Sequence, residues 1–415
     1  MEHKKSTMKW LVLATVILSN MLIMAIPAMG MSVMAKEISQ DLKLSLVQVG
    51  MVWGVGSLPS IVTGIFGGAF GDKLGPKKIL IWGCLLGGLL GAARGLAVDY
   101  VTLLGIVIVA GAVVPFVSMN GFKVAGQWFP GSELALANGL ISAGMALGFL
   151  LGAMLSATVL SPLLGGWRSV LLLYGLLGAG MSLVWLFLPH APHQHHHGKS
   201  APALSLRQTV LEVMRLKNIW LMGLTLFCVA GSIQGLLGYL PIYLRSQGWP
   251  GASADGAVSA FHLLSMIFVI PITMFSNRLG SRRPLLVGAA LMVALGAGLL
   301  SFVSGGMVWV AVLMSGFVRD AFMAIFLTAV IETEGVGPAF AGTATGFTIS
   351  LSSIGSFIAP PVGNSLAALF PGAPFAFWSV LTVLGIVFVS FVKSEKHRVS
   401  AEILEEVFEK GQSHA

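Results

Sequence analysis

The sequence predicts an all-α membrane protein of twelve transmembrane helices, arranged as two pseudo-symmetric six-helix units. Three observations predict it. The 415-residue chain is 56% hydrophobic and only 10% charged, with a mean hydropathy of +0.90; a soluble domain carries about 25% charged residues. Apolar runs of the length a bilayer demands, about 20 residues, recur twelve times. A basic loop sequence also occurs twice, about half a chain apart.

The runs lie near 10–34, 46–70, 79–98, 101–123, 135–160, 169–188, 217–243, 254–276, 284–303, 306–330, 341–368 and 374–392. Lys4, Lys5 and Lys9 precede the first run as they would in a signal peptide. Its apolar stretch outruns the roughly 7–15-residue core of such a peptide, so it reads as a retained helix. Of 24 Lys and Arg residues, 17 fall in the N-terminus, alternate loops and the C-terminus, and five in the other loops and helix ends. That asymmetry is the positive-inside pattern. It places both termini in the cytoplasm and requires an even number of crossings. It also accounts for the net charge of +8 without a nucleic-acid partner. Cys84 and Cys228 fall inside runs and read as packing residues, not as a disulfide framework.

The repeated loop is GDKLGPKKIL at 71–80 and SNRLGSRRPL at 276–285. It pairs Lys73 with Arg278, Gly75 with Gly280, Lys77 with Arg282 and Lys78 with Arg283, at an offset of 205 residues. A second pair of segments, 135–148 and 341–355, matches Gly139 with Gly346 at an offset of 207. Two related halves follow. The basic residues hold the loops inside, Gly75 and Gly280 permit a tight turn, and Gly68 permits a close helix approach. Asp72 is placed to accept bonds at a helix N-terminus.

GAFGDKLGPKK closely resembles the loop motif of the major facilitator superfamily, through Gly68, Asp72, Lys73, Gly75, Lys77 and Lys78. The second copy is degraded, with Thr273 and Asn277 at the first Gly and the Asp positions. The resemblance implies two six-helix bundles that rock about a central, substrate-sized cavity, with these loops as a conformational latch. The expected units are residues 1–188 and 217–392, a linker at 189–216 and a tail at 393–415. QWFPGSELALANG at 127–139 is similar to a loop of nitrate/nitrite porters and organic-anion:cation symporters, through Trp128, Phe129, Pro130, Glu133, Ala137 and Gly139. Leu134 and Ala135 replace the Arg-Gly pair of that loop, run two has no arginine, and run eight offers His262 where nitrate porters use arginines. These departures argue against nitrate. Run five lacks the Gly-Pro motif of drug:proton antiporters.

Ionisable groups inside a membrane are costly and mark functional candidates. Arg319 and Asp320 stand side by side in run ten. Arg319 can bind a carboxylate bidentately, and Asp320 can carry a coupling proton. Neighbours on a helix are about 100° apart, so both are not expected to point at one spot. His262 in run eight is a second proton candidate, against the plainer reading of a packing histidine. Asn20, Asn120, Lys123 and Gln234 are candidates for substrate contact, against interhelical hydrogen bonding for the amides and snorkelling for Lys123, as for Arg94. In the linker, His190, His193 and His195–His197 can bind a metal, against an incidental histidine run. Residues 205–218 and 400–411 carry the apolar stripes of amphipathic helices. The glycines of runs five and eleven suit close packing, and Pro360–Pro361 is expected to kink run eleven.

The reading is a monomeric secondary transporter of the inner membrane that takes up a small organic anion with a proton or other cation, with no cofactor and no resident metal. Export of an apolar or cationic compound is the alternative within transport. A transporter-like sensor lacks a signalling domain, and a membrane enzyme lacks clustered catalytic groups. A nucleotide-driven pump lacks a phosphate-binding Gly-rich loop. Reporter fusions at the two termini should both report the cytoplasm; termini on opposite faces would contradict the even count of crossings.

Overall fold

The computed structural model describes residues 2–129, 133–189, 206–276, 278–279 and 281–392. Among them, eleven helices are long and apolar enough to cross a membrane. We label the crossings α1 (Thr7–Val33), α2 (Leu46–Gly64), α3 (Pro76–Leu96), α4 (Tyr100–Trp128), α5 (Leu136–Leu164), α6 (Trp167–Phe187) and α7 (Lys217–Ser246). α8 (Gly251–Ser276), α9 (Arg283–Leu300) and α10 (Met307–Ile331) follow, α11 is Gly337–Ser365, and α12 is Ala373–Ser390. α11 is the twelfth expected crossing. Its 29 residues are rich in Gly, Ser and Thr, which keeps it below the hydropathy of the others. Its helical assignment continues through Pro360 and Pro361, the position expected to bend.

The helices pair in a pattern that repeats. α1 packs on α5, α2 on α4 and α3 on α6; α7 packs on α11, α8 on α10 and α9 on α12. Adding six to each member of the first set gives the second, as related halves require. The pairs are close because small residues line them. A Cβ on Gly175 of α6 would lie 2.1 Å from the Ala92 backbone nitrogen of α3. With little hydrophobic drive between helices in lipid, such van der Waals approach is a main source of association.

The repeated basic loops mark one end of the molecule. The segment Pro59–Leu74 extends α2 to this end, and Gly75, at φ 87°, turns the chain into Pro76 at the start of α3. Lys77 donates to the Leu188 carbonyl just past α6, at 2.6 Å. In the other half, Arg283 donates to the Val392 carbonyl just past α12, at 3.4 Å. These bonds span 111 and 109 residues and play similar parts in the two halves, although the repeat aligns Arg283 with Lys78, one residue beyond Lys77. Each caps carbonyls that the last helix of its half leaves unpaired. Arg282 adds a bidentate pair with Glu332 after α10, at 2.7 and 2.9 Å. Lys9 pairs with Glu133 at 2.8 Å and ties the start of α1 to the first residue of the helix that leads into α5. Lys73, Lys78 and Arg278 are exposed. Asn277, Gly280 and the Asp72 side chain lie outside the described residues, as do the histidine stretch and the tail. The expected linker helix is present as Leu206–Arg215, with Val213 buried.

At the opposite, non-basic end the loops are tied by carboxylates. Glu37 accepts from the Ser161 hydroxyl and the Trp167 backbone nitrogen, and Asp41 pairs with Arg168 at 2.9 Å.

Replacing Gly175 by Leu should destabilise the protein by at least the usual overpacking cost, about 1–3 kcal/mol, because the obstacle is backbone and cannot swing aside. Thermal unfolding in detergent checks this, and an unchanged Tm would contradict the close α3–α6 approach.

Candidate functional site

α10 is not one helix. It consists of Met307–Phe317 and Arg319–Ile331, joined at Val318 with φ −108° and ψ −6°. Arg319 and Asp320 therefore open a new helical segment at membrane depth. Both keep helical backbone within that segment, so their side chains still leave the axis about 100° apart, and the long arginine side chain reaches round to its neighbour. Arg319 Nη1 donates to Asp320 Oδ1 at 2.5 Å. Two neighbours expected to point apart are thus an ion pair. The Asp320 backbone nitrogen, one of the donors that a helix start leaves free, is taken by the Ser265 hydroxyl of α8 at 3.0 Å.

Magnitudes explain the pair. An isolated arginine or aspartate at the centre of a spanning helix costs about 2.5–3.5 kcal/mol on insertion scales. A net neutral hydrogen bond returns about 0.5–1.5 kcal/mol. Hydroxyl contacts such as that of Ser265 cannot hold either charge alone, whereas the opposite charge can. The pair is still reachable: the Arg319 and Asp320 side chains are 27% and 24% exposed. A group that enters this space meets a guanidinium already shared with a carboxylate.

His262 lies on α8 one turn before Ser265 and is 1% exposed. It is within electrostatic reach of Arg319 and Asp320. Its Nε2 meets Met29 Sδ of α1 at 3.2 Å, and its ring stacks on Phe149 of α5, with centroids 5.2 Å apart. Nδ1 is buried and has no hydrogen-bond partner. A neutral imidazole that donates through Nε2 keeps an acceptor at Nδ1. The Arg319 guanidinium lies over the same Phe149 ring at 5.6 Å. One aromatic ring from the first half thus touches both the histidine and the arginine of the second.

Among the expected site residues, the structure brings Arg319, Asp320 and His262 together. Gln234 of α7 lies on the contact between halves: its side chain reaches the Trp53 carbonyl at 3.4 Å, and its own carbonyl accepts from Trp53 Nε1 at 2.7 Å. Asn20 is buried against Gly121 of α4 and donates to the Val16 carbonyl of its own helix, with Oδ1 unpartnered. It directly precedes a π-helical turn, Met21–Ala25, in α1. Asn120 sits against Gly71 of the basic loop and donates to the Phe116 carbonyl, and Lys123 lies one turn further along α4. Arg94 meets Met31 Sδ at 3.7 Å. Met29, Phe149 and Ser265 were not anticipated. Two are apolar, and the third is one serine among many. Among the described residues no three of His, Cys, Asp and Glu gather as a metal site would need.

The site borders a seam between the halves. α2 packs on α11 and α5 on α8. Asn364 donates to the Leu46 carbonyl at 2.8 Å, Ser57 to the Ser353 carbonyl at 3.0 Å, and Ser32 to the Leu237 carbonyl at 2.6 Å. Each of these bonds belongs to the non-basic portion of its helices, so that end is shut.

The family model of the Major Facilitator Superfamily matches residues 11–360. A 3-(3-hydroxy-phenyl)propionate transporter of Escherichia coli is 24% identical, over 81% of this chain and 82% of its own. A gallate transporter of Pseudomonas putida is 25% identical, over 86% and 84%. A probable sulfoacetate transporter of Cupriavidus necator is 26% identical over 53% of this chain, which spans about half of that relative, 54%. Among solved structures, a D-xylose–proton symporter superposes with a TM-score of 0.76 at 15% identity, covering 93% of this chain and 98% of that one. A bacterial homologue of the human lysosomal transporter Spinster, inward-facing and occupied, gives 0.73 at 16%, covering 92% and 95%. With the repeated helix pairing and the basic loop motif, the family match across most of the chain leads to one conclusion: this protein is a multi-pass transporter of the Major Facilitator Superfamily, and not an enzyme.

Proposed function

We propose that the protein carries a small organic anion across the inner membrane by alternating access, coupled to a proton. Arg319 carries the reading: it is a guanidinium at membrane depth, partly open and paired to a carboxylate in its own turn. The named substrates of three relatives, hydroxyphenylpropionate, gallate and sulfoacetate, are organic acids, which supports the same class.

The chemistry is a competition. A substrate carboxylate offers Arg319 a bidentate partner in place of the single Nη1–Oδ1 contact that Asp320 supplies. Asp320 releases the guanidinium most readily when it takes up a proton, because the neutral acid gives up the ion pair. His262, with its unpartnered Nδ1, is the second group placed to hold that proton. With both termini in the cytoplasm, the shut non-basic end faces outward and the halves rock about the seam. Gln234 beside the seam and Asn20 inside the first half serve as secondary polar contacts, and Asn120 and Lys123 serve near the basic loop. The latch consists of Gly68, Asp72, Lys73, Gly75, Lys77 and Lys78 with Arg278, Gly280, Arg282 and Arg283. Proton-driven export of an apolar or cationic compound is the competing reading, and substrate charge separates the two.

In proteoliposomes loaded with a panel of carboxylates, the protein should exchange a labelled organic anion by counterflow. Arg319→Ala should lose this exchange. Arg319→Lys keeps the charge but not the fork. A hydrogen bond to a charged group contributes about 1.5–3 kcal/mol, so half-saturation should rise roughly 10–100-fold. Exchange of a cation that survives Arg319→Ala would favour the export reading. Asp320→Asn should retain counterflow but lose accumulation driven by a pH gradient. If accumulation persists in that variant and disappears in His262→Gln, the proton belongs to His262 and not to Asp320.

A further inference from the structure

Asp255 has no part in the site just described, yet it is the most deeply buried carboxylate of the non-basic end among the described residues, 1% exposed near the start of α8. Its two oxygens are claimed from different halves. Arg245 of α7, in its own half, donates to Oδ1 at 2.5 Å. Thr158 of α5, in the other half, donates its hydroxyl to Oδ2. Arg245 is held back on its own helix, where Nη1 reaches the Pro241 carbonyl at 3.4 Å.

A second feature singles out the same contact. Thr158 sits within a π-helical turn, Ser156–Leu160, that interrupts the α-helical path of α5. Single-turn insertions of this kind re-aim side chains and gather at functional positions. On the facing helix, Asp255, Ser259, His262 and Ser265 recur at the three- and four-residue spacing that keeps them on one face. Ser259 reaches the Leu150 carbonyl of α5 at 3.5 Å, His262 meets Met29 and Phe149, and Ser265 holds Asp320. The polar face of α8 thus runs from the Thr158 contact to the anion site, and most of its length presses on the other half.

We propose that Thr158 and the Asp255–Arg245 pair form the catch of the non-basic gate. The threonine hydrogen bond holds α5 against α8 while that end is shut, and it breaks when the end opens. The inference rests on alternating access but not on which compound is carried. The division of labour suits a catch. Asp255 keeps Arg245 as counter-ion when Thr158 leaves, so releasing this contact costs one hydrogen bond and leaves no carboxylate bare.

The test is a distance measurement on the full chain in lipid nanodiscs. Spin labels go at Leu163, 74% exposed at the end of α5, and Ala252, exposed at the start of α8. The labelled protein should show one dominant short separation. Thr158→Val, nearly isosteric, should raise the fraction of long separations several-fold, and Thr158→Ser, which keeps the hydroxyl, should restore the short one. Equal shifts from Val and Ser would make packing the cause and overturn the catch. So would an unchanged distribution in Thr158→Val while an imposed pH gradient or added carboxylates lengthen the separation in the unsubstituted protein. If no variant and no condition lengthens it, the catch falls together with alternating access.

Discussion

A charge in an apolar bundle must have a partner, and the centre of this molecule is arranged around that requirement. Arg319 finds its partner one residue away, in the first turn of the segment that restarts after Val318. The break frees a backbone donor, which Ser265 takes from α8. α8 in turn brings His262 beside the pair and against Phe149 and Met29 of the other half. One ion pair thus draws four helices from both halves into a single neighbourhood. Each charge is answered chiefly by the other, with Phe149 of the other half against the guanidinium, and under the proposed function the pair meets a ligand of the right sign.

The halves meet in a way that suits movement. Within each half, helices touch backbone to backbone at small residues, as at Gly175 and Ala92. Between halves, the non-basic end combines the same close approach, at Gly50 and Gly54 of α2 against the α11 backbone, with single hydrogen bonds to carbonyls, such as Ser57 to Ser353 and Asn364 to Leu46. Contacts of the first kind resist separation. A net hydrogen bond contributes only about 1 kcal/mol, so the second kind can be exchanged for water or for a different register. The basic loops add stiffness where it is needed: Lys77 and Arg283 each lock the last helix of their half to its third.

Much of this architecture can be read from the chain itself. Composition and run length separate the crossings. The offset between GDKLGPKKIL and SNRLGSRRPL anticipates the repeat that the helix pairing displays. α11 is the informative case, because its polar small residues depress its hydropathy while the repeat still demands it. Arg319, Asp320 and His262 stand out because charge is scarce. Their mutual arrangement does not, because helical spacing sets adjacent side chains about 100° apart and does not show that the long arginine reaches round to its neighbour, and nothing local in VRDAF announces the break at Val318. Phe149 and Met29 are invisible for a different reason. Their importance comes from which helix they face, and apolar residues look alike in an apolar run. Asp255 escapes notice because it falls at the very start of its run, where a carboxylate reads as a loop residue. Asn120 and Lys123 show the converse: polar groups in a run whose neighbourhood, against Gly71, is the basic loop.

The central claim is that Arg319 is an anion receptor held ready by Asp320. The most direct measurement is a thermal-shift titration of purified protein with small carboxylates, amines and neutral compounds, since a ligand that binds only the folded state raises its apparent stability. At least one carboxylate should raise the Tm of the unsubstituted protein and leave that of Arg319→Ala unmoved. Stabilisation by amines or neutral compounds alone, undiminished in Arg319→Ala, would contradict the claim.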